Sequence, residues 1–239
     1  MSAATGLTTA LHGEVLCLTL DRPHAANALD SRLQKALVEV LAGARVAAGV
    51  GAVLLAAAGD RVFSAGADLK EFSELADGQA RSLRRELLRA SLLALAAFDK
   101  PLVAVVRGKA IGAGCMLALL ADYVHAATEA SFSLPEIRLG SATPVGAVIV
   151  TARGGRRAAL HFCLSGEAVD ARGAHHFGLV DALHATDQLN EAGMARARAL
   201  AQWGGPAYAH NKRWINAGLC AEISRALDES ARLQATGSP

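Results

Sequence analysis

Two short glycine-bearing segments have a pattern that could stabilise negative charge. They are Phe63–Lys70, with the sequence FSAGADLK, and Ile111–Met116, with the sequence IGAGCM. Each follows a β-like apolar run and opens a helix-like run, so each is expected to present unpaired backbone N–H groups at a strand-to-helix turn. Two such turns facing one point would form an oxyanion hole, the kind of site that binds a carbonyl oxygen as it becomes negative.

One carboxylate stands in a setting that suits proton transfer. Glu136 follows Pro135 directly after a strand-like segment, and the neighbouring Ile137 and Leu139 are apolar. Apolar surroundings disfavour the charged form of a carboxyl group and raise its pKa, which suits acid–base work near neutral pH. From the local sequence alone, a surface glutamate at a strand exit is an equally good interpretation.

Other chemistries find little support in the sequence. The Gly112-Ala-Gly114 segment lacks the third glycine and the later acidic residue of a dinucleotide fingerprint, and the sequence contains no GxxxxGK[ST], HExxH or GxSxG motif. The eight histidines are scattered. The four cysteines show no metal-ligand or disulfide spacing, so buried reduced thiols and no metal site are expected.

Strands and helices alternate in the first half of the chain. Apolar and β-branched runs predict strands at 14–20, 53–57, 101–106, 123–126 and 132–134. Asp30 is a suitable N-cap for a helix, and leucine spacing predicts further helices at 73–97 and 112–120. From Thr143 onward the sequence predicts an almost wholly helical region. The glycine turns and Glu136 should therefore lie where strands end.

Composition sets the broad class of protein. The 239 residues are 52% hydrophobic and 19% charged, with a formal net charge of +2, which argues against a disordered chain and against a nucleic-acid partner. The longest apolar stretch, 110–121, is shorter than a membrane span, and residues 1–14 lack a basic start and an apolar core. A soluble, cytoplasmic protein with no membrane partner is expected. Four arginines at helical spacing predict a solvated or subunit-facing stripe: Arg81, Arg84, Arg85 and Arg89.

An ordered set of motifs resembles the crotonase, or enoyl-CoA hydratase/isomerase, superfamily. The motifs are Asp21-Arg-Pro23, Asn27-Ala-Leu29, the 63–70 segment, Lys100-Pro101, Gly108, Gly112–Cys115, Asp122, Leu134–Gly140 and Gly178-Leu-Val180. The resemblance implies an α/β fold, a crotonase-type ββα spiral of two nearly perpendicular sheets, with a core domain over 1–185. It also implies a helical C-terminal region over 186–239 that supports a homotrimer or a dimer of trimers.

The same resemblance implies roles for individual residues. The N–H groups of Ala67 and Ala113 would form the oxyanion hole, and Glu136 would be the catalytic base. The substrate would be a thioester of coenzyme A or of an acyl carrier, with coenzyme A as part of the substrate and no tightly bound cofactor. Residues expected to contact the substrate are His24, Ala25, Ala26, Ala65, Asp68, Lys70, Gly112 and Met116.

The sequence departs from the family pattern at Met116. Family hydratases generally have a second glutamate at this position, so the chain is expected to act with Glu136 alone, on double-bond isomerisation or hydration of an enoyl-CoA. The segment 140–150 also departs from the glycine-rich turn common in hydratases, and 233–239 ends where many relatives continue through another helix. Three alternatives stay open: a decarboxylating, C–C bond-forming enzyme like carboxymethylproline synthase, a non-catalytic thioester-binding scaffold, and a hydrolase.

Overall fold

A computed structural model describes residues 5–74 and 78–235. The strands are β1 Leu7–His12, β2 Val15–Leu20, β3 Ala52–Ala57, β4 Val62–Ser64, β5 Leu102–Val106, β6 Lys109–Ile111, β7 Tyr123–Ala127, β8 Ser131–Ser133, β9 Val169–Asp170 and β10 Ala182–His184. The α-helices are α1 Ser31–Val46, α2 Leu69–Glu74, α3 Gly78–Ala96, α4 Ala113–Leu119, α5 Pro144–Ser165, α6 Ala171–His176, α7 Leu189–Ala201 and α8 Pro206–Ala235. Two 3₁₀ helices cover Pro23–Ala25 and Pro135–Leu139.

The strands form two sheets, and from β3 to β8 the chain alternates between them. One sheet has six strands in the order β1-β2-β3-β5-β7-β10, and the other has four in the order β4-β6-β8-β9. The pairs β3–β5 and β5–β7 are parallel, and the fully buried run of β5 is typical of a parallel sheet covered on both faces. The repeats β3-β4-α2, β5-β6-α4 and β7-β8-α5 each give one strand to each sheet. This architecture is the ββα spiral that the resemblance implies.

Helix α1 illustrates how the sequence sets the packing. The Asp30 carboxylate accepts a hydrogen bond of 2.8 Å from the Leu33 N–H, which confirms the predicted N-cap. The apolar side chains of Leu33, Leu37 and Leu41 then recur on one face and are buried in the core. The helix packs chiefly against α3 and also contacts β1.

Several element predictions were wrong in detail. The segment 73–97 is two helices, α2 and α3, and its residues 75–77 lie outside the described part of the chain. The region after Thr143 contains the strands β9 and β10, which pair with β8 and β7. These strands have two and three residues, so their pairing comes from tertiary contacts rather than from a local pattern.

Two of the four arginines in the predicted stripe, Arg84 and Arg89, have partners within the chain. The Arg84 side chain is buried, and its Nε lies 3.3 Å from Glu71 Oε2. Arg89 forms an ion pair with Asp228 of α8. The side chain of Arg81 is outside the described part. Because α2 and α8 both pack near α3, the stripe joins elements within the chain.

The C-terminal helices pack on the rest of the chain. Helix α7 lies against β3 and β5, and α8 lies against α5 and α3. The Lys212 ammonium of α8 donates to Asp122 Oδ2 at 2.7 Å and to the Lys100 carbonyl at 2.9 Å. The division at 185/186 falls between β10 and α7, and it stays a prediction. No described helix has both the length and the apolar character needed to cross a membrane, and residues 236–239 lie outside the described part.

Candidate active site

Three neighbouring strands deliver the candidate catalytic groups to one place. In the four-stranded sheet β4 pairs with β6, and β6 pairs with β8, both in parallel. The carboxyl ends of adjacent parallel strands meet at one edge of a sheet, and ligands of open α/β sheets commonly bind there. The segment holding Ala67 follows β4, the segment holding Ala113 follows β6, and Glu136 follows β8.

The backbone of the first turn fixes the direction of the Ala67 N–H. The Gly66 carbonyl accepts a hydrogen bond of 2.8 Å from the Leu29 N–H, and the Asp68 N–H donates to the Leu29 carbonyl at 3.3 Å. In a planar trans peptide the C=O and N–H groups point in opposite directions. Because the Gly66 C=O faces Leu29, the Ala67 N–H of the same peptide points away from Leu29.

The second turn aims the Ala113 N–H out of a helix end. Gly112 precedes α4 with φ +54°, and its carbonyl accepts the first hydrogen bond of the helix, from the Met116 N–H at 3.0 Å. The N–H of Ala113 therefore points out of the N-terminus of α4, where the helix dipole favours negative charge. Ala113 is not among the described non-glycine residues with positive φ. Alanine thus fits here without backbone strain.

The two turns touch each other. A Cβ atom built on Gly66 would lie 2.7 Å from the Ile111 oxygen and 3.2 Å from the Ala113 nitrogen. Gly66 also has φ +85°, a conformation that favours glycine. Glycine at position 66 therefore permits the close approach that places both predicted oxyanion donors in one region.

Glu136 lies beside the second turn with an unpaired carboxylate oxygen. A Cβ atom built on Gly112 would be 3.1 Å from Glu136 Oε1. Glu136 Oε2 is buried and has no hydrogen-bond partner in the described part of the chain. Burial raises the pKa of Glu136, and only a hydrogen bond from its own backbone N–H opposes the rise. A carboxylate in this state can take up a proton from a bound molecule.

The neighbouring thiols are not suited to nucleophilic chemistry. Burial, followed by the charge of Glu136, raises the pKa of Cys115 strongly and that of Cys163 to about 11. A protonated thiol is a poor nucleophile. All four cysteines are free, and Cys115 and Cys163 are the buried ones.

Met116, the residue at which the sequence was predicted to depart from the family hydratases, is buried. Its side chain is 3% exposed. A Cβ atom built on Gly146 of α5 would lie 3.1 Å from the Met116 ε-methyl and 2.9 Å from Leu134 Cδ1. The Met116 ε-methyl therefore lies close to Gly146, whose lack of a side chain leaves room for it.

The segment with the predicted substrate contacts His24, Ala25 and Ala26 adjoins the first turn. The 3₁₀ helix at 23–25 ends in Ala26, whose carbonyl accepts a hydrogen bond of 2.9 Å from the Ala65 N–H. Two basic side chains of this region, His24 and Lys70, are exposed. Their contact with a substrate stays a prediction, as it does for Ala25, Ala26 and Ala65.

Asp68 has partners within the chain. Its Oδ2 lies 3.0 Å from Arg22 Nη1, and its Oδ1 accepts hydrogen bonds from the backbone N–H groups of Lys70 and Glu71. Partial burial raises the pKa of Asp68, but the two N–H donors and Arg22 outweigh it and hold the pKa below its usual value. The structure therefore gives Asp68 a role in holding the turn, and substrate contact by Asp68 stays a prediction.

Sequence reasoning missed two residues that hold the site. The backbone N–H and C=O of Leu29 bond to Gly66 and Asp68, the residues before and after Ala67. The Ser64 hydroxyl bonds to the backbone C=O of Asn27 and the backbone N–H of Gly66. Leu29 belongs to the Asn27-Ala-Leu29 motif, but it acts here through its backbone groups, so its residue type does not indicate this role. Ser64 lies inside the first glycine segment, and its type alone does not distinguish a bridging hydroxyl from a strand-end serine.

Comparison with known proteins defines the class. A family model described as enoyl-CoA hydratase/isomerase matches residues 11–236. The chain is 40% identical over 189 residues to the Escherichia coli 2,3-dehydroadipyl-CoA hydratase, covering 79% of this chain and 72% of that protein. It is 34% identical over 224 residues to a probable enoyl-CoA hydratase of Rhizobium meliloti, covering 92% and 85%. The chain belongs to the enoyl-CoA hydratase/isomerase family.

Solved structures agree with this assignment. The Pseudomonas aeruginosa protein PA4980 superimposes with a TM-score of 0.80 at 34% identity, covering 95% of this chain and 98% of that one. An enoyl-CoA hydratase/isomerase from Xanthobacter autotrophicus Py2 gives a TM-score of 0.86 at 28% identity, covering 95% and 85%. The fold is that of the crotonase superfamily, and the chain is an enoyl-CoA hydratase/isomerase-like enzyme.

Proposed function

We propose that this enzyme isomerises the double bond of an enoyl-CoA, with Glu136 as its single base. Glu136 takes a proton from C2 of a 3-enoyl thioester, and the electron pair of the broken C–H bond moves into a dienolate whose oxygen is negative. The N–H groups of Ala67 and Ala113 donate to that oxygen. Glu136 then returns the proton to C4, which leaves the 2-enoyl thioester and restores the carboxylate.

The buried, unpaired Oε2 atom of the half-buried Glu136 carries this proposal. Its position beside Gly112 and its raised pKa fit a base that is protonated and deprotonated in one catalytic cycle. A donor of an oxyanion hole typically contributes about 2.7–4 kcal/mol to the transition state. With Met116 packed against Gly146, Glu136 has no neighbouring glutamate at that position, which favours a shuttle between two carbons over addition of water.

The substrate carrier in this proposal is coenzyme A. The exposed His24 and Lys70 offer basic groups beside the loop that leads to the first turn, and a phosphate ligand would be held there by charge-assisted hydrogen bonds. An acyl carrier protein would present the same thioester without the nucleotide.

Hydration is the second candidate, because the similar proteins from Escherichia coli and Rhizobium meliloti carry the names of hydratases. The two reactions separate by product. We expect the wild type to convert 3-hexenoyl-CoA to 2-hexenoyl-CoA, followed by chromatography with mass detection, and to hydrate crotonyl-CoA poorly. Rapid hydration of crotonyl-CoA without isomerisation would overturn the proposal.

Met116 variants test why hydration should be weak. Met116→Glu supplies a second carboxylate and should raise hydration of crotonyl-CoA, while Met116→Gln has a similar shape without the charge and serves as the control. Equal hydration rates in both variants would show that the missing carboxylate does not limit the reaction.

A homotrimeric assembly in the cytoplasm completes the proposal. Helix α8 presents Trp214 and Ile215 with 81% and 76% of their surface exposed, and large apolar side chains on a surface are typical of protein contacts. Light scattering of the purified protein should give a mass of three or six chains, and a monomer would contradict this part.

A further inference from the structure

The hydroxyl of Ser64 links two segments that approach the active site. Ser64 is the last residue of β4 and is fully buried. Its Oγ donates to the Asn27 carbonyl at 2.8 Å and accepts from the Gly66 N–H at 3.2 Å. A hydroxyl has one proton to donate and lone pairs to accept, so one side chain satisfies two buried backbone groups.

These hydrogen bonds fix the peptide group that precedes Gly66. The Ser64 hydroxyl holds the N–H of the 65–66 peptide, while Leu29 holds the C=O of the 66–67 peptide at 2.8 Å. Gly66 is the one residue between these two peptides, and glycine has wide conformational freedom. Loss of either hydrogen bond would let the peptide plane that contains the Ala67 N–H rotate.

Ser64 also contacts the second turn. A Cβ atom built on Gly114 would lie 2.5 Å from Ser64 Cβ and 2.6 Å from its Oγ. The backbone of α4 therefore packs directly on the serine side chain, one residue after Ala113. One side chain thus bonds to the turn that holds Ala67 and packs against the turn that holds Ala113.

We propose that Ser64 is a positioning residue that sets the distance and angle between the two oxyanion donors. The proposal rests on the proposed function, in which Ala67 and Ala113 bind one thioester oxygen. Ser64 does not touch the substrate. It acts on the transition state through the backbone, so its loss should lower kcat and leave KM for the acyl-CoA nearly unchanged.

Ser64→Ala tests this, with Ser91→Ala as the matched control. Ser91 is another fully buried serine, and its hydroxyl donates to the Leu87 carbonyl at 2.9 Å within α3. Both variants should lose some folding stability, because each leaves a buried backbone group with one partner fewer. Only Ser64→Ala should lower kcat, by about 10- to 100-fold, since small misplacements of catalytic groups have effects of this size.

A spectroscopic measurement separates positioning from general stability. Butanoyl-CoA labelled with ¹³C at the carbonyl should show a lowered carbonyl stretching frequency when bound to the wild type, as seen by infrared difference spectroscopy. Ser64→Ala should move that frequency back toward its value in water, and Ser91→Ala should not. A wild-type frequency in Ser64→Ala, at saturating ligand, would overturn the proposal.

A second variant covers the case in which Ser64→Ala does not fold. Ser64→Cys keeps a weak donor and a weak acceptor, so it should show a smaller frequency change and a smaller loss of kcat. An unchanged frequency and unchanged kcat in Ser64→Cys would overturn the proposal in that case. If the wild type lowers the carbonyl frequency of bound butanoyl-CoA but shows no turnover, the proposed reaction is refuted. The role of Ser64 would still be tested, because the carbonyl frequencies of the wild type and the variants can be compared without turnover.

Discussion

The surroundings of Glu136 suit proton transfer but reduce folding stability. Its Oε2 is buried and without a hydrogen-bond partner among the described residues, and burial raises its pKa. A buried, unpaired carboxylate reduces folding stability because its charged form is poorly solvated. Active sites often retain such groups where reactivity requires them. The cost at Glu136 is therefore consistent with a functional group.

This cost predicts a pH-dependent gain in stability for Glu136→Gln. The pKa of Glu136 is higher in the folded than in the unfolded protein, so ionisation penalises the folded state only above about pH 4.3, the ordinary pKa of glutamate. The variant should match the wild type in acid and become more stable than it as the pH rises through the raised pKa. Urea unfolding across that range measures the difference.

Glu39→Gln provides the control for this measurement, because Glu39 is exposed on α1. It should change the unfolding free energy little at any pH. A Glu136→Gln variant that is less stable than the wild type at neutral pH would show that the carboxylate has a stabilising partner.

At the scale of elements, the site depends on how closely the β4–α2 and β6–α4 turns approach. The Gly66 Cα faces the Ile111 carbonyl, with no room for a Cβ atom. Gly13, in the turn between β1 and β2, has a similar positive φ of +65° but nothing within 4 Å of a Cβ built on it. The two glycines share a backbone conformation and differ in their surroundings.

Gly66→Ala should therefore lower turnover, while Gly13→Ala should not. Both variants should lose about 1–2 kcal/mol of folding stability from the left-handed conformation. In Gly66→Ala the added methyl group also pushes Ile111 and Ala113 away, so kcat should fall by about 10²-fold. Steady-state kinetics and thermal unfolding of the two variants measure this contrast. Equal turnover in both would mean that the contact between the turns is unimportant for the reaction.

The elements that the sequence predicted best are the ones with strong local signals. The buried run of β5 was predicted to within one residue, and the N-cap of α1 was predicted at Asp30. The antiparallel strand β1 was not predicted, and neither were β9 and β10. The strands β9 and β10, with two and three residues, form because a neighbouring strand offers hydrogen-bonding groups, and that information is not local.

The candidate site was likewise predictable only in part from the sequence. The two glycine turns and Glu136 could be selected from residue type and order, and the structure places them at the ends of β4, β6 and β8. The hydrogen bonds on both sides of Ala67 could not be predicted, because they join the backbone of Gly66 and Asp68 to that of Leu29, which is distant in the sequence. The partners of Arg84 and Arg89 could not be predicted, because nothing in α3 itself indicates that Glu71 and Asp228 lie against it.

At the scale of the whole molecule, the spiral brings distant segments together by repetition. Each ββα repeat adds one strand to the four-stranded sheet, so the segments after β4, β6 and β8 follow one another along its edge. The first two repeats contribute backbone N–H groups and the third contributes a carboxylate. In the proposed mechanism the oxyanion donors are therefore main-chain groups, and Glu136 is the side chain on which the proton transfer depends.

The central claim is that Glu136 removes the proton next to the thioester carbonyl. Exchange of the α-protons of butanoyl-CoA into deuterated water, followed by mass spectrometry, measures this step without any net reaction. We predict exchange with the wild type and with Glu39→Gln, and exchange slower by about 10²–10⁴-fold with Glu136→Gln, the usual contribution of a general base. Exchange at the wild-type rate in Glu136→Gln would contradict the account and place the base elsewhere.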